Sequence, residues 1–183
     1  MRESAPRIHP LETQRAGWRV VRRVMTKLPD SLPPARELLK GALAGLIGGL
    51  VATAAKSAAE KIYAPRTHGE PEPPAVLAEK LGADHAETAG KKAAEEGIHW
   101  GFGIAAGIAY GVIAELYPEA TAKQGGTFGV TLMGVTHEGL LPMLGLSAPP
   151  AEQEGRERRS ELVTHVVYGV VCETVRSAVR KAL

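Results

Sequence analysis

The fold that this sequence predicts is all-α, a four-helix transmembrane bundle preceded by a basic amphipathic helix. Three observations predict it. Four apolar, small-residue runs occupy 41–60, 98–118, 125–146 and 162–179, with polar, proline-bearing segments between them. The chain has 21 glycines and only eight aromatic residues (two Phe, two Trp, four Tyr), which suits helices packed backbone to backbone better than a soluble core. Finally, Lys56, Glu60, His99, Glu115, His137, Glu138, His165 and Glu173 interrupt or border the apolar runs. A charge within a lipid-spanning helix is costly, so such residues turn toward the bundle interior and seek a partner there.

The chain divides into a basic arm, 1–40, and a membrane domain, 41–183, with a polar excursion at 61–97 between its first and second helices. Residues 1–40 hold nine Lys/Arg against four acids, a net +5, and the remainder is −3, giving +2 for the whole. Within the arm, Leu11–Leu28 carries Trp18, Val21, Met25 and Leu28 at helical spacing. Arg15, Arg19, Arg22 and Arg23 flank them, as in a helix lying on an anionic bilayer; packing on the protein's own surface is the alternative. Pro29, Pro33 and Pro34 end it. A basic segment directly before the first apolar run orients the N-terminus to the cytoplasm. Nucleic-acid binding is not expected, since stacking aromatics and a recognisable module are both missing. No cleavable leader is expected either, because the first apolar run begins too late.

In the first run, positions 45, 49, 52, 56 and 60 step by three or four and form one stripe. Gly45 and Gly49 therefore serve helix packing, and Lys56 and Glu60 continue the same face as an i,i+4 pair; an ordinary surface pair at the membrane edge is the alternative. After Tyr63-Ala-Pro65-Arg66, residues Pro74–Leu81 with Gly82 read as a short capped helix. The second run places Gly103, Gly107 and Gly111 at intervals of four, a doubled GxxxG. In a soluble helix each would cost roughly 1 kcal/mol relative to Ala. The third run contains His137-Glu138, and Pro142 is expected to kink it. The fourth holds His165, Glu173 and Arg176, and spans only if its neighbours shield it. Tyr63 and Trp100 fall at one expected interface, Tyr117 and Phe128 at the other. A soluble bundle, with the second and third runs as a buried hairpin, is the competing architecture, but neither run has the polar face it needs.

With these residues laid out, the chain resembles the YagU-like family of bacterial inner-membrane proteins. The resemblance rests on Gly49, Lys56, Glu60, Pro65 and Arg66, then His99, Ala114-Glu115 and Pro118. It continues through a glycine at 125 or 126, His137, Pro142 and Gly145-Leu146, to Glu161, His165, Glu173 and Arg176. It covers about residues 41–180, and the polar excursion differs from the relatives in length and composition. It implies a multi-pass inner-membrane protein and supplies no reaction or substrate.

Three functions suit a polar seam of this composition. Histidines on three helices with Glu60, Glu115 and Glu173 as partners suit proton or cation handling or a pH response, with Lys56–Glu60 as a gating or structural pair. The same groups equally suit interhelical hydrogen bonding with a purely structural or accessory role, the basic arm and polar excursion docking partners. A metal or haem held through His99, His137 and His165 is a minor alternative, and no cofactor is expected. Glu96-x-x-His99 has the spacing of a di-iron helix, but no second such motif occurs. Without a nucleophile elbow, phosphate loop, CxxC or HExxH, an enzyme is not expected, and the lone Cys172 forms no internal disulfide. The expected partners are a bilayer with anionic lipids and a further copy of the chain or a larger membrane complex.

Overall fold

A computed structural model describes residues 32–66, 70–85 and 87–183. The helix expected over Leu11–Leu28, with Arg15, Trp18, Arg19, Arg22 and Arg23, lies outside the described residues. Among the described residues all regular structure is helical. The α-helices are α1 (Ala35–Ile62), α2 (Pro73–Lys80), α3 (Thr88–Leu116), α4 (Gly126–Val135), α5 (Leu141–Met143) and α6 (Gly155–Ala182). Short 3-10 segments lie at Ala83–His85 and Pro118–Gly125, and a π turn, Thr136–Leu140, joins α4 to α5. Three helices, α1, α3 and α6, are long and apolar enough to cross a membrane. α1 packs along both α3 and α6, α4 lies on α6, and α2 rests on α3.

Side chains are distributed opposite to those of a soluble bundle. The large aliphatic residues of α1 point outward: Leu39 is 70% exposed, and Leu43, Leu46, Leu50 and Val51 are exposed too. Phe102 and Ile113 of α3, Val130 and Val135 of α4, and Leu162 and Val163 of α6 behave likewise. Buried instead are Ala44, Ala52, Ala114 and Cys172, with Thr53, Ser160 and Thr164. An apolar belt this extensive marks a surface made for lipid or a partner. Within lipid, helix association draws on close packing and polar contacts rather than on burying aliphatic groups, and small residues make that possible.

Glycine sets the closeness of α1 and α3. Gly41, Gly45 and Gly49 oppose Gly111, Gly107 and Gly103 as the two helices run antiparallel. A Cβ at Gly41 would lie 2.7 Å from the Gly111 carbonyl oxygen, and one at Gly49 would lie 2.9 Å from that of Gly103. On the other side of α1, a Cβ at Gly48 would lie 2.7 Å from the Cys172 carbonyl oxygen on α6. Gly125 is required twice over: its φ is +80°, and a Cβ there would meet the Cβ of Glu173 at 2.7 Å.

Phe128 departs from the interfacial position expected of it. It stacks on Tyr110 with ring centroids 4.1 Å apart and tilts against Tyr168 at 6.1 Å, so it packs against the core. Its place at the start of α4, which lies on α6, turns it inward. The short helix after Pro65 begins one residue earlier than its spacing predicts, at Pro73, and Gly82 follows it at φ +93°.

Candidate functional site

The ionisable residues of the apolar runs do not form one continuous seam. They gather in two clusters toward opposite ends of the bundle. Nineteen positions separate Glu37 from Lys56 on α1, roughly 28 Å of helix and close to the thickness of a bilayer's hydrocarbon core.

At the end where α1 begins, Arg180 donates through Nε to Glu115 Oε1 at 2.7 Å and through Nη2 to Glu37 Oε2 at 2.5 Å. One turn of α6 back from Arg180, Arg176 grips Glu173 with two bonds of 2.6 and 2.8 Å, and the Tyr110 hydroxyl donates to the same carboxylate at 2.9 Å. Arg176 and Glu173 are both buried. Bidentate guanidinium–carboxylate pairs satisfy both charges together, which is what burial demands. Neither Glu115 nor Glu173 therefore serves a histidine. Beyond this pair, Ala52, Tyr110, Tyr168 and Cys172 form a closed core with little exposed surface.

The second cluster lies past that core. Glu161 of α6 is only 3% exposed and sits at its centre. Lys56 Nζ lies 3.9 Å from Glu161 Oε2, and Arg66 Nη1 lies 4.0 Å from Oε1. Each cation has a closer acid of its own: Lys56 pairs with Glu60, and Arg66 donates to Glu157 at 3.0 Å. Nε2 of His137 and Nδ1 of His165 both lie 3.5 Å from Glu161 Oε2. The two imidazoles meet edge to face, with centroids 4.9 Å apart. Nδ1 of His165 donates to the Glu161 backbone carbonyl at 2.7 Å, which assigns that nitrogen the proton and leaves Nε2 with a free lone pair. Glu161 Oε2 itself is buried without a hydrogen-bond donor.

Local sequence explains how His137 reaches this point. Pro142 has no N–H to return to the carbonyl of residue 137 or 138. The helix widens ahead of it: Leu141 N–H bonds to Thr136 O, five residues back, and the extra residue turns His137 inward. The His137 carbonyl, left without a donor on its own helix, accepts from Gln153 Nε2 at 3.3 Å. π turns of this kind frequently occur at functional sites. The neighbouring Glu138 takes the opposite direction, is exposed, and pairs with Arg158 at 2.7 Å.

Beside the cluster is a cavity of about 140 Å³. Leu77 of α2, Phe102 of α3 and Leu132 of α4 wall it with apolar surface, while His137, Glu161 and His165 form its polar side. His99 lines the same cavity but is occupied with Ser57, at 3.0 Å. The polar excursion thus covers the site, and Lys80 ties it to the turn after α5 by bonds of 2.9 and 3.1 Å to the carbonyls of Leu144 and Gly145.

Of the eight predicted seam residues, Lys56, Glu60, His99, His137 and His165 line this cavity, whereas Glu115, Glu138 and Glu173 lie elsewhere. The residue that sequence reasoning did not place at the centre is Glu161. Its one local signal is the i,i+4 spacing to His165; its nearness to His137, Lys56 and Arg66 is a property of the folded chain alone. The i,i+3 residue Glu96 does not reach His99 and instead accepts from Trp100 Nε1 at 3.1 Å.

Residues 50–174 match the family described as "Protein of unknown function (DUF1440)", and the chain belongs to that family. No curated protein and no solved structure matches it. Membership in an uncharacterised family, together with three helices able to span a membrane, makes this a helical chain of membrane-compatible character.

Proposed function

We propose that the protein is a multi-pass bacterial inner-membrane protein that handles cations, protons or metal ions, in a chamber open toward one side of the bilayer. The observation that carries this reading is the Glu161 carboxylate, buried without a hydrogen-bond donor and faced by two imidazoles and a cavity. A buried polar atom left unsatisfied is costly, and one beside a cavity calls for a partner such as a water or an ion. The three acids and two bases of the cluster (Glu60, Glu157, Glu161, Lys56, Arg66) leave one negative charge for a cation to balance. The closed core beyond Tyr168 argues for access from one end rather than for a continuous path.

The architecture that goes with this function is a four-helix bundle. Gly126–Met143 winds through the π turn for roughly 27 Å at 1.5 Å per residue, enough for a fourth pass beside α1, α3 and α6. With the basic arm held on anionic lipid at the cytoplasmic face, the Glu37–Glu115–Arg180 cluster is cytoplasmic and the chamber faces outward. The resemblance to YagU-like proteins points to the same membrane. The outward apolar faces also suit a second copy of the chain or a larger membrane complex. No catalytic role or resident cofactor is proposed.

A structural, accessory role is the second reading, favoured by the ion pairing of Glu60, Glu115, Glu138 and Glu173. Thermal unfolding of the full chain in detergent, with Na⁺, K⁺, Mg²⁺, Mn²⁺ and Zn²⁺ added in turn, separates the two. Binding to the folded state stabilises it by about 2.7 kcal/mol at a hundred times the Kd. Cation handling requires a raised melting temperature with at least one metal ion or, for protons, a melting temperature that depends on pH between about 5 and 9, either response being abolished in Glu161→Gln. No response to any ion or to pH, or a response kept by Glu161→Gln, leaves the structural reading in place.

A further inference from the structure

Building on the cation-handling reading, we propose that His137, Glu161 and His165 form a three-ligand site for a divalent transition-metal ion. One nitrogen of each ring and one oxygen of the carboxylate lie within 4.8 Å of one another. The 3.5 Å between His137 Nε2 and Glu161 Oε2 is close to the edge of a tetrahedron whose bonds are about 2.1 Å, the length usual for imidazole and carboxylate on zinc. His165 is prepared for the role: its Nδ1–H is anchored on the Glu161 carbonyl, the outer contact that commonly orients a ligating histidine, which leaves Nε2 as the ring nitrogen able to take an ion.

Donor chemistry narrows the ion. Two imidazoles and one carboxylate suit zinc, iron, cobalt, nickel or copper, whereas magnesium and calcium prefer sites made entirely of oxygen. The flanking cations do not forbid the ion, because Lys56 and Arg66 are already neutralised by Glu60 and Glu157. Imidazoles meeting edge to face at 4.9 Å leave no room for a macrocycle between them, so a bare ion fits and a haem does not. Three protein ligands next to a cavity leave a coordination position open, as in sites that exchange what they bind rather than structural sites that close around it.

The test is Co²⁺ titration of the untagged full-length protein, stripped with chelator and held in detergent, read by the visible d–d absorption of the bound ion. One Co²⁺ per chain, displaced by Zn²⁺, is expected. His137→Ala, Glu161→Gln and His165→Ala should each weaken it about a hundredfold, while Glu138→Gln, on the outer surface, stays within threefold of wild type. Binding that survives loss of either histidine overturns the proposal. X-ray absorption of the wild-type Co²⁺ complex guards against variants that fail to fold: two imidazoles in the coordination sphere support the site, and oxygen alone overturns it. If Na⁺ or Mg²⁺ raises the melting temperature through Glu161 and Co²⁺ does not bind, the metal assignment falls and cation handling stands. If no cation acts, both fall.

Discussion

Gly107 and Gly101, six residues apart on α3, should respond in opposite directions to the same added methyl group. A Cβ at Gly107 would lie 2.5 Å from the Gly45 carbonyl oxygen, 2.5 Å from Gly49 Cα and 2.8 Å from Gly49 N. All three atoms are backbone, so no side chain can swing aside, and α1 and α3 must separate by nearly 1 Å to restore ordinary contact. A radial gap of about 0.5–1 Å forfeits a quarter to a half of each dispersion well, and each well is about 0.1–0.2 kcal/mol deep. If the glycine stretch makes about as many atom pairs as one buried leucine, roughly forty, the loss is on the order of 2 kcal/mol, within the range usual for overpacking. At Gly101 nothing lies within 4 Å of the added atom. There Ala only improves helix propensity, by up to about 1 kcal/mol. Reversible unfolding in mixed micelles of increasing SDS fraction measures both. Gly107→Ala should unfold at lower SDS fraction than wild type by an amount equivalent to about 2 kcal/mol, and Gly101→Ala at the same or a higher one. Equal effects at the two positions, or a harmless Gly107→Ala, would refute backbone contact as the basis of the α1–α3 interface.

Three further outcomes follow from the other cluster and from the arrangement of side chains. Arg176→Met strands the buried Glu173 carboxylate and should destabilise by about 3–5 kcal/mol, with Glu173→Gln added to it recovering much of the loss; the same SDS unfolding reads both, and an Arg176→Met chain as stable as wild type would contradict the pairing. The chain should stay with the membrane pellet after alkaline carbonate extraction, and Cys172, with 0% exposure, should resist a maleimide until SDS is added. Prompt labelling of the native protein would mean that the core around Tyr110 and Tyr168 is open.

Helices, their apolar faces and their glycine rows were legible along the chain because each is a local, periodic property. Gly103, Gly107 and Gly111 at intervals of four must share a face whatever lies opposite, and a leucine-, alanine- and glycine-rich stretch of twenty residues has few ways to be satisfied other than in lipid. The presence of titratable residues in those stretches was equally plain. Which of them meet was not. Pairing between helices depends on axial level and on rotation, and neither is written in the spacing of one helix. Glu115 and Glu173 looked like partners for histidine and are taken instead by Arg180 and Arg176, which approach at the far end of the bundle. His137 joins Glu161 only because Pro142 forces a π turn, and one extra residue rotates everything past it by about 100° at 3.6 residues per turn. Chain chemistry thus decides that charges are buried; the mutual rotation of four helices decides that Glu161 stands between two imidazoles with an oxygen to spare.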